Sequence, residues 1–323
     1  MKKGLLLISL LLLTLCANLH AQETDSWVFV NSNGEIVNRV EIPIDELEED
    51  ISAPAEPAED DEYYDENMRF TTWRPFNDGQ NIAGKGVGTE KAVVVLEMPN
   101  KQGDYKEMCS GVIVAPFTVL TAAHCLIDFI TSDVSMQVVA VGVKKTKQGY
   151  PYSEVVGYWL PEEYENYHNN QKAHKPKSDL FDSKTGGRYD YGFILLKDPI
   201  HTQTGLFGVK STRDYDVGAP IYILGRLGTE RERTLWKLPG KITWQDKSFF
   251  FSDAYQARGL SGGPVILQNN VSQVSGIFVA GENAPPFEGI ILRITPKIVR
   301  MVLKYREVLK PLTDSQKKKV HST

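Results

Sequence analysis

The chain has 323 residues, of which 41% are hydrophobic and 24% charged, an ordinary composition for a globular protein with a sizeable core. This composition excludes a fully disordered or fibrous chain, and the length allows two domains or one large domain with extensions. The net charge of −5 conceals an asymmetry: residues 22–66 carry sixteen acidic side chains and one Arg (−15), whereas residues 67–323 carry 25 acidic and 33 basic ones (+8). A uniformly acidic protein is therefore also excluded.

Residues 1–21 have the pattern of a secretory signal peptide. Two lysines precede the apolar run Leu5–Leu15, and Ala21 is the small residue that such signals place before the cleavage site. We therefore expect cleavage after Ala21 and a secreted or periplasmic protein. Lipid attachment at Cys16 is the alternative, although Leu15 is larger than the residue that usually precedes a lipidated cysteine. No later stretch is long and apolar enough for a membrane span.

Residues 22–68 form an acidic segment, in which Glu41–Glu66 contains no Lys or Arg. Charge repulsion and scarce apolar surface predict that Asp45–Glu66 is disordered on its own. Two interpretations stay open: a solvated spacer, or a propeptide that lies on the basic remainder of the chain until it is removed. In the second case cleavage follows the acidic run, and Arg69 and Arg74 are candidate sites.

From about Lys91 the chain consists of short β-type runs separated by turns. The predicted strands are Ala92–Leu96, Gly111–Val114, Phe117–Leu120, Val138–Val141, Tyr191–Leu196, Ile221–Leu224 and Ile277–Ala280. Many short strands with regular turns indicate a sandwich or barrels rather than an α/β sheet. Only Ile294–Leu309 has the three-to-four apolar spacing of an amphipathic helix. Residues 314–323 are predicted to be a solvated tail.

Three segments carry residues suited to nucleophilic catalysis. Gly-Leu-Ser-Gly-Gly-Pro places Ser261 between glycines, which allow turns that other residues resist. A serine hydroxyl is a poor nucleophile until a base takes its proton. Thr-Ala-Ala-His-Cys supplies His124 as a candidate base, and Tyr-Asp-Tyr-Gly supplies Asp190 as a candidate orienting acid.

Asp190 has three competitors nearby in the sequence. Asp179, Asp182 and Asp198 lack the following apolar strand, Phe193–Leu196, that would hold the carboxylate inside the protein. We therefore expect Asp190 to be the residue that acts with His124.

At these motifs the chain resembles chymotrypsin-fold serine endopeptidases. The segments around His124 and Ser261 look like that family's histidine and serine signatures, and the three residues occur in its order, His, Asp, Ser. The aspartate segment is similar to that of the bacterial glutamyl-endopeptidase branch. The likeness covers roughly Gly86–Leu309. It implies an all-β fold of two six-stranded antiparallel β-barrels with a C-terminal helix. The implied protease domain covers residues 69–313, with barrels at about 86–200 and 201–293 and the helix at 294–310.

The resemblance also implies roles for individual residues. Ser261 would be the nucleophile that forms an acyl-enzyme, His124 the general base and Asp190 the residue that orients it. The N–H groups of Gly259 and Ser261 would form the oxyanion hole. Leu260 departs from the usual Asp or Asn beside the nucleophile, which argues against activation through a salt bridge to that position. The implied substrates are proteins or peptides, with no cofactor or metal, and the expected state is a monomer.

Two cysteines, Cys109 and Cys125, remain once the signal segment is excluded. An even count suits one disulfide in an oxidising compartment, with two free thiols or a metal pair as alternatives. No histidine cluster favours zinc. In the family that the chain resembles, this pair forms a disulfide that fixes the histidine loop.

The resemblance places a substrate pocket at Tyr255, Gln256, Arg258, Phe278 and Gly281. Tyr255 lies at the floor position, where an acid would favour Lys or Arg substrates. Glutamyl endopeptidases usually have a histidine where we align Phe278, and Thr or Ser where we align Gln256. Both are missing, and Arg258 is the remaining candidate to attract an acidic side chain.

Two rival functions stay open from the sequence. One is a catalytically idle protease-fold protein that binds or adheres, and the other is an esterase-like serine hydrolase. Nucleic-acid binding is not expected, because the basic run Lys144–Lys147 is short and has no interleaved aromatic residues.

Overall fold

The computed structural model describes residues 24–31, 36–43, 79–99, 105–130, 136–174, 187–211, 214–227, 233–281 and 289–308. Within these ranges the strands are β1 Thr24–Asn31, β2 Ile36–Pro43, β3 Gln80–Asn81, β4 Val93–Pro99, β5 Tyr105–Ala115, β6 Thr118–Thr121, β7 Gln137–Val139, β8 Tyr152–Pro161, β9 Gly192–Leu196, β10 Gly208–Val209, β11 Pro220–Gly225, β12 Trp236–Gln245, β13 Phe249–Ser252, β14 Pro264–Leu267, β15 Gln273–Val274, β16 Gly276–Gly281 and β17 Gly289–Arg293. The α-helices are α1 Ala123–Ile130, α2 Glu162–His174, α3 His201–Thr204 and α4 Pro296–Val308, with 3₁₀ turns at Gly88–Ala92 and Gly187–Tyr189.

Strands β4 to β9 form the first barrel. Their order is β8-β7-β4-β5-β6-β9, and β9 also pairs with β8, which closes the sheet. All of these pairings are antiparallel. The fully buried side chains of these strands include Val93, Val95, Ile113, Leu120 and Phe193. Four of these five are β-branched or aromatic, the types that pack well on a pleated sheet.

Strands β11 to β14, β16 and β17 form the second barrel. The order is β11-β14-β16-β17-β13-β12, and β11 pairs with β12 to close it. The short strand β3 adds to the outside of β12. Its core includes Ile223, Leu238, Phe250, Val265 and Ile291. The predicted two-barrel, all-β fold is therefore confirmed.

Helix α4 confirms the predicted C-terminal helix. It begins at Pro296, two residues after Ile294, where the predicted apolar pattern starts. Its buried residues Ile298, Met301 and Val302 recur at three-to-four spacing. They belong to the same apolar cluster as residues of both barrels, such as Val95 and Ile277. The helix contacts β5 of the first barrel.

Helix α2 shows that the expectation of a single clear helix was wrong. Its sequence is mostly polar, so it has no wide apolar stripe for a periodicity argument to detect. Glu162, Glu163 and Glu165 lie in the first turn, where negative charge is favourable at the positive end of the helix dipole. Tyr164 is buried and attaches the helix to the protein.

The hairpin β1–β2 comes from the acidic segment and extends the first barrel's sheet. Strand β1 pairs antiparallel with β8, from Trp27 opposite Pro161 to Asn31 opposite Gly157. These two strands are not among those predicted from the sequence. The acidic run and the signal segment both lie outside the described residues. None of the helices in the described ranges has the length and apolar character needed to cross a membrane.

Candidate active site

The pairing of β6 with β9 brings the candidate base and acid together. Thr121 lies opposite Gly192 in this antiparallel pair. His124 follows Thr121 by three residues at the start of α1, and Asp190 precedes Gly192 by two. Since the strands run in opposite directions, both residues leave the barrel at the same end.

Asp190 contacts His124 through both carboxylate oxygens. Its Oδ1 accepts the main-chain N–H of His124 at 2.9 Å, and its Oδ2 lies 2.8 Å from the ring Nδ1. Asp190 is 2% exposed, whereas the His124 side chain is 31% exposed. A buried carboxylate in this position can hold the proton on Nδ1, so that Nε2 can serve as the base.

The turn Gly259–Gly263 (the serine turn) carries Ser261 and lies directly before β14. It packs on Thr121–His124 (the histidine loop). Gly262 has a positive φ of +79°, and a Cβ there would meet the Thr121 hydroxyl and the Ser110 carbonyl and lie 3.0 Å from the Ala122 nitrogen. Only glycine fits on both counts. This close approach places Ser261 beside the residues that lead into His124.

The main chain around Ser261 is anchored on its carbonyl side. The Ser261 carbonyl accepts the N–H of Ser110 at 2.8 Å, and Gly262 N–H donates to the Phe278 carbonyl at 2.7 Å. Within the described ranges no residue accepts a hydrogen bond from the N–H of Gly259 or Ser261. Two such N–H groups on one turn can bind a developing oxyanion.

Cys109 and Cys125 form a disulfide with an S–S distance of 2.04 Å, as the resemblance implied. The bond joins β5 to α1 and lies next to His124. Although the two sulfurs and the His124 ring are close together, the sulfurs are bonded to each other. A metal pair at these cysteines was the alternative, and the disulfide overturns it.

All five residues of the predicted pocket lie in the described ranges. Gln256 covers Gly281, because a Cβ at position 281 would collide with the Gln256 carboxamide. Phe278 is 3% exposed, and its ring is 3.1 Å from where a Cβ at Gly289 would be. Tyr255 is partly buried against the second barrel's core, whereas Arg258 is exposed. The structure therefore places an amide beside Gly281 and an aromatic ring beside Gly289.

Asp198, one of the competing acids, is exposed, and its N–H bonds to the Ser153 hydroxyl. Asp179 and Asp182 lie outside the described residues.

Two features of this region were missed by the sequence analysis. Ser110, the residue after Cys109, links the serine turn to the first barrel through its side chain. Glu97 is fully buried and forms two hydrogen bonds with Arg233 of the second barrel, at 2.6 and 2.8 Å. Burial lowers the pKa of the nearby Arg226, and the charge of Glu97 opposes that shift. A strand residue that bonds across barrels has no local sequence signal.

The two closed barrels, with the His–Asp pair and the serine turn between them, define a chymotrypsin-like fold. The sequence pattern of the family described as Trypsin matches residues 87–298. The chain therefore belongs to the trypsin family.

Two known proteins show the extent of the similarity. A glutamyl endopeptidase from Bacillus licheniformis is 31% identical over 167 residues, which are 50% of this chain and 46% of that protein. This chain thus spans about half the length of that relative. A solved structure of Glu endopeptidase in complex with MPD has a TM-score of 0.54 at 17% identity, covering 72% of this chain and 97% of that one. At that identity the second match supports the fold alone.

Proposed function

We propose that this chain is a secreted serine endopeptidase that hydrolyses peptide bonds through an acyl-enzyme on Ser261. The observation that carries the proposal is the buried Asp190 carboxylate bonded to both the main chain and the ring of His124, beside the glycine turn of Ser261. Membership of the trypsin family and the relative named glutamyl endopeptidase support the same reaction class.

In the first step His124 Nε2 takes the proton from Ser261 Oγ as the oxygen attacks the peptide carbonyl carbon. The negative charge moves to the carbonyl oxygen, where the N–H groups of Gly259 and Ser261 bind it. His124 then gives its proton to the leaving amine, and the C–N bond breaks. Asp190 stays ionised and stabilises the positive ring of His124.

In the second step a water molecule gives a proton to His124 and attacks the acyl carbon. The tetrahedral species forms in the same oxyanion hole. Collapse returns the proton to Ser261 Oγ and releases the carboxylic acid product. The cycle consumes one water and restores both side chains.

The pocket residues favour a substrate class without a basic side chain at the cleaved bond. Tyr255, Gln256 and Phe278 provide no acid to pair with Lys or Arg. Arg258 is exposed and is the proposed group to attract an acidic side chain. The relative's name supports such a preference, although Phe278 and Gln256 depart from the pattern of that branch.

The proposal includes a precursor that matures in two steps. The signal segment is removed after Ala21 on export, and residues 22–68 act as a propeptide that is cleaved after the acidic run. The charge of −15 on residues 22–66 against +8 on the remainder supports an attractive contact before cleavage.

A fluorophosphonate probe tests the nucleophile directly, because it reacts with activated serines. We expect the wild-type protein to be labelled and Ser261→Ala to be unlabelled. Ser153→Ala is the matched control, since it removes a buried hydroxyl far from this site and should leave labelling intact. Labelling that survives in Ser261→Ala, or none in the wild type, rejects the proposal.

Cleavage of a peptide library by the matured protein then separates the endopeptidase from the two rivals. An esterase-like hydrolase would cleave activated esters but not internal peptide bonds. A binding protein would do neither. The library also reports the preferred residue at the cleaved bond.

A further inference from the structure

Ser110 carries a hydroxyl at a position on β5 that is completely buried, with 0% exposure. A buried hydroxyl is costly unless it is hydrogen-bonded. Its Oγ donates to the Gly259 carbonyl at 2.6 Å and accepts the N–H of Arg226 at 2.9 Å. Both partners are main-chain groups of the second barrel's half of the chain. One side chain of the first barrel therefore holds two loops of the second.

The main chain of Ser110 holds the other end of the same turn. Its N–H donates to the Ser261 carbonyl at 2.8 Å, and its carbonyl accepts the Thr121 hydroxyl at 2.7 Å. Gly259 and Ser261 are thus tied to a single residue through their carbonyl groups. Ser110 also reaches the strand that leads into His124. It is a shared anchor for the serine turn and the histidine loop.

The turn needs such an anchor because glycine is its most mobile residue. Gly259 has a φ of +92°, and glycine can rotate to other conformations at little steric cost. Rotation of the peptide groups beside Gly259 would turn its N–H away from the reacting carbonyl. The Gly259 carbonyl belongs to the peptide group that follows Gly259, so the bond from Ser110 fixes that group and limits how far the chain beside the Gly259 N–H can turn. Gly225 leaves room for the Ser110 hydroxyl, since a Cβ at position 225 would lie 2.8 Å from Ser110 Oγ.

We propose that Ser110 is a positioning residue for the oxyanion hole. Its hydroxyl anchors the peptide group after Gly259, and its N–H anchors the peptide group after Ser261. The Ser261 N–H lies in the peptide group between these two anchors and the Gly259 N–H in the group just before them, so both are held where they can converge on one oxygen. Ser110 acts through Gly259 and does not itself contact the substrate. The inference rests on the proposed function, because the hole matters only if Ser261 attacks a carbonyl.

Ser110→Ala removes the side-chain bond and keeps the main-chain one. Loss of a whole oxyanion-hole donor costs about a hundredfold to a thousandfold in kcat, so loss of its positioning should cost about tenfold to a hundredfold. We expect KM for a peptide substrate to change by less than about threefold, because ground-state binding does not use the hole. Ser110→Thr keeps the hydroxyl and should have a higher kcat than Ser110→Ala.

Ser153→Ala is the control matched in chemistry. Ser153 is 1% exposed, accepts the Asp198 N–H at 2.9 Å and donates to the Glu154 carbonyl at 3.2 Å. The variant Ser153→Ala therefore loses one accepted and one donated hydrogen bond, as Ser110→Ala does, in a region away from the serine turn. Both variants should unfold more easily, but only Ser110→Ala should lose kcat. Ser110→Gly, which leaves room for a water molecule, replaces Ser110→Ala if that variant does not fold.

A peptide boronic acid supplies a readout that a purely structural role would not change. Its tetrahedral adduct with Ser261 places an oxygen in the oxyanion hole, whereas the product peptide with the new amino terminus has no carboxylate at the cleaved bond and binds without using the hole. We expect Ser110→Ala to weaken boronic acid inhibition by about the same factor as kcat, with product inhibition unchanged.

The outcomes separate the two proposals. If the wild type is active and Ser110→Ala keeps its kcat, or loses no more than Ser153→Ala, the positioning role is rejected while the proposed function stands. Equal losses for the boronic acid and the product peptide reject it as well. If the wild type shows no Ser261-dependent hydrolysis, the proposed function fails and this inference fails with it.

Discussion

Asp190 illustrates how one buried carboxylate can set the state of a neighbouring ring. Both of its oxygens are used by His124, one on the main-chain N–H and one on Nδ1. The bond to the main chain fixes the carboxylate, and the carboxylate then fixes the ring. The position of the ring therefore depends on two acceptors on one side chain.

Asp190→Asn should keep the fold and lose most of the activity. The amide offers one acceptor oxygen and one NH₂ group, so it favours the wrong His124 tautomer, and kcat should fall by about a thousandfold or more. The measurement is steady-state hydrolysis of a peptide substrate, with circular dichroism to show that the fold is unchanged. Asp198→Asn serves as the control, because this exposed competitor should have no such effect. Comparable losses in both variants would contradict the assignment.

The residues of the proposed triad could be predicted because chemistry restricts them locally. Ser261, His124 and Asp190 lie in motifs whose neighbours provide a turn, a loop and a buried strand. Ser110 could not be predicted in the same way, since its bond to Gly259 joins residues 149 positions apart. Nothing near Ser110 in the sequence shows that a carbonyl of the other barrel will lie above it. Such contacts exist only after the barrels have docked.

The strands and helices also divide into those that the sequence predicts and those that it does not. Short apolar runs bounded by turn signals predict the strands that the structure has as β4, β6, β9 and β16. Helix α2 was missed because its polar surface gives no periodic signal. The hairpin β1–β2 was missed for another reason: the charge of the acidic segment masked a run of four apolar residues, Trp27–Val30, that suits a strand.

The hairpin β1–β2 covers an edge of the first barrel that would otherwise be open. Strand β7 pairs with only the first three residues of β8, Tyr152 to Glu154, and β1 pairs with the last five, Gly157 to Pro161. An unpaired edge exposes N–H and C=O groups that can bind another strand. The acidic segment therefore supplies a structural element as well as charge.

Removal of residues 22–43 from a Ser261→Ala protein should open this edge. The amides of Gly157–Leu160 that point towards β1 would lose their acceptors, so their hydrogen exchange should become about tenfold faster or more. Hydrogen–deuterium exchange with mass spectrometry would measure it. Tyr152–Glu154, which remain paired with β7, are the internal control. Unchanged protection at Gly157–Leu160 would mean that the hairpin adds no stability to this edge.

At the scale of the whole molecule, polar groups as well as apolar packing join the two barrels. Residues of both barrels and of α4 share one apolar cluster. Two ion pairs also cross the junction: Glu97 with Arg233 at 2.6 Å, and Glu90 with Lys237 at 2.8 Å. Gln137 donates a further hydrogen bond to Glu97 at 2.8 Å. A catalytic centre assembled from both barrels requires that they keep one relative position, and these contacts support it.

Arg233→Ala tests how strongly the buried pair couples the barrels. It leaves the fully buried Glu97 without the guanidinium of Arg233, while Gln137 still donates a hydrogen bond, and loss of one partner of a buried ion pair is costly. Because Arg233 is 36% exposed, we expect a loss of about 2–3 kcal/mol in the free energy of unfolding, slightly below the usual range for a broken buried pair. Urea denaturation of the Ser261→Ala protein, which cannot digest itself under the proposed function, would measure this loss.

Lys197→Ala is the control, since Lys197 and Glu154 are 55% and 58% exposed and pair within one barrel. That variant should lose far less stability than Arg233→Ala, because solvent screens a pair between exposed side chains. Equal losses in the two variants would show that the buried pair adds nothing beyond an ordinary surface contact.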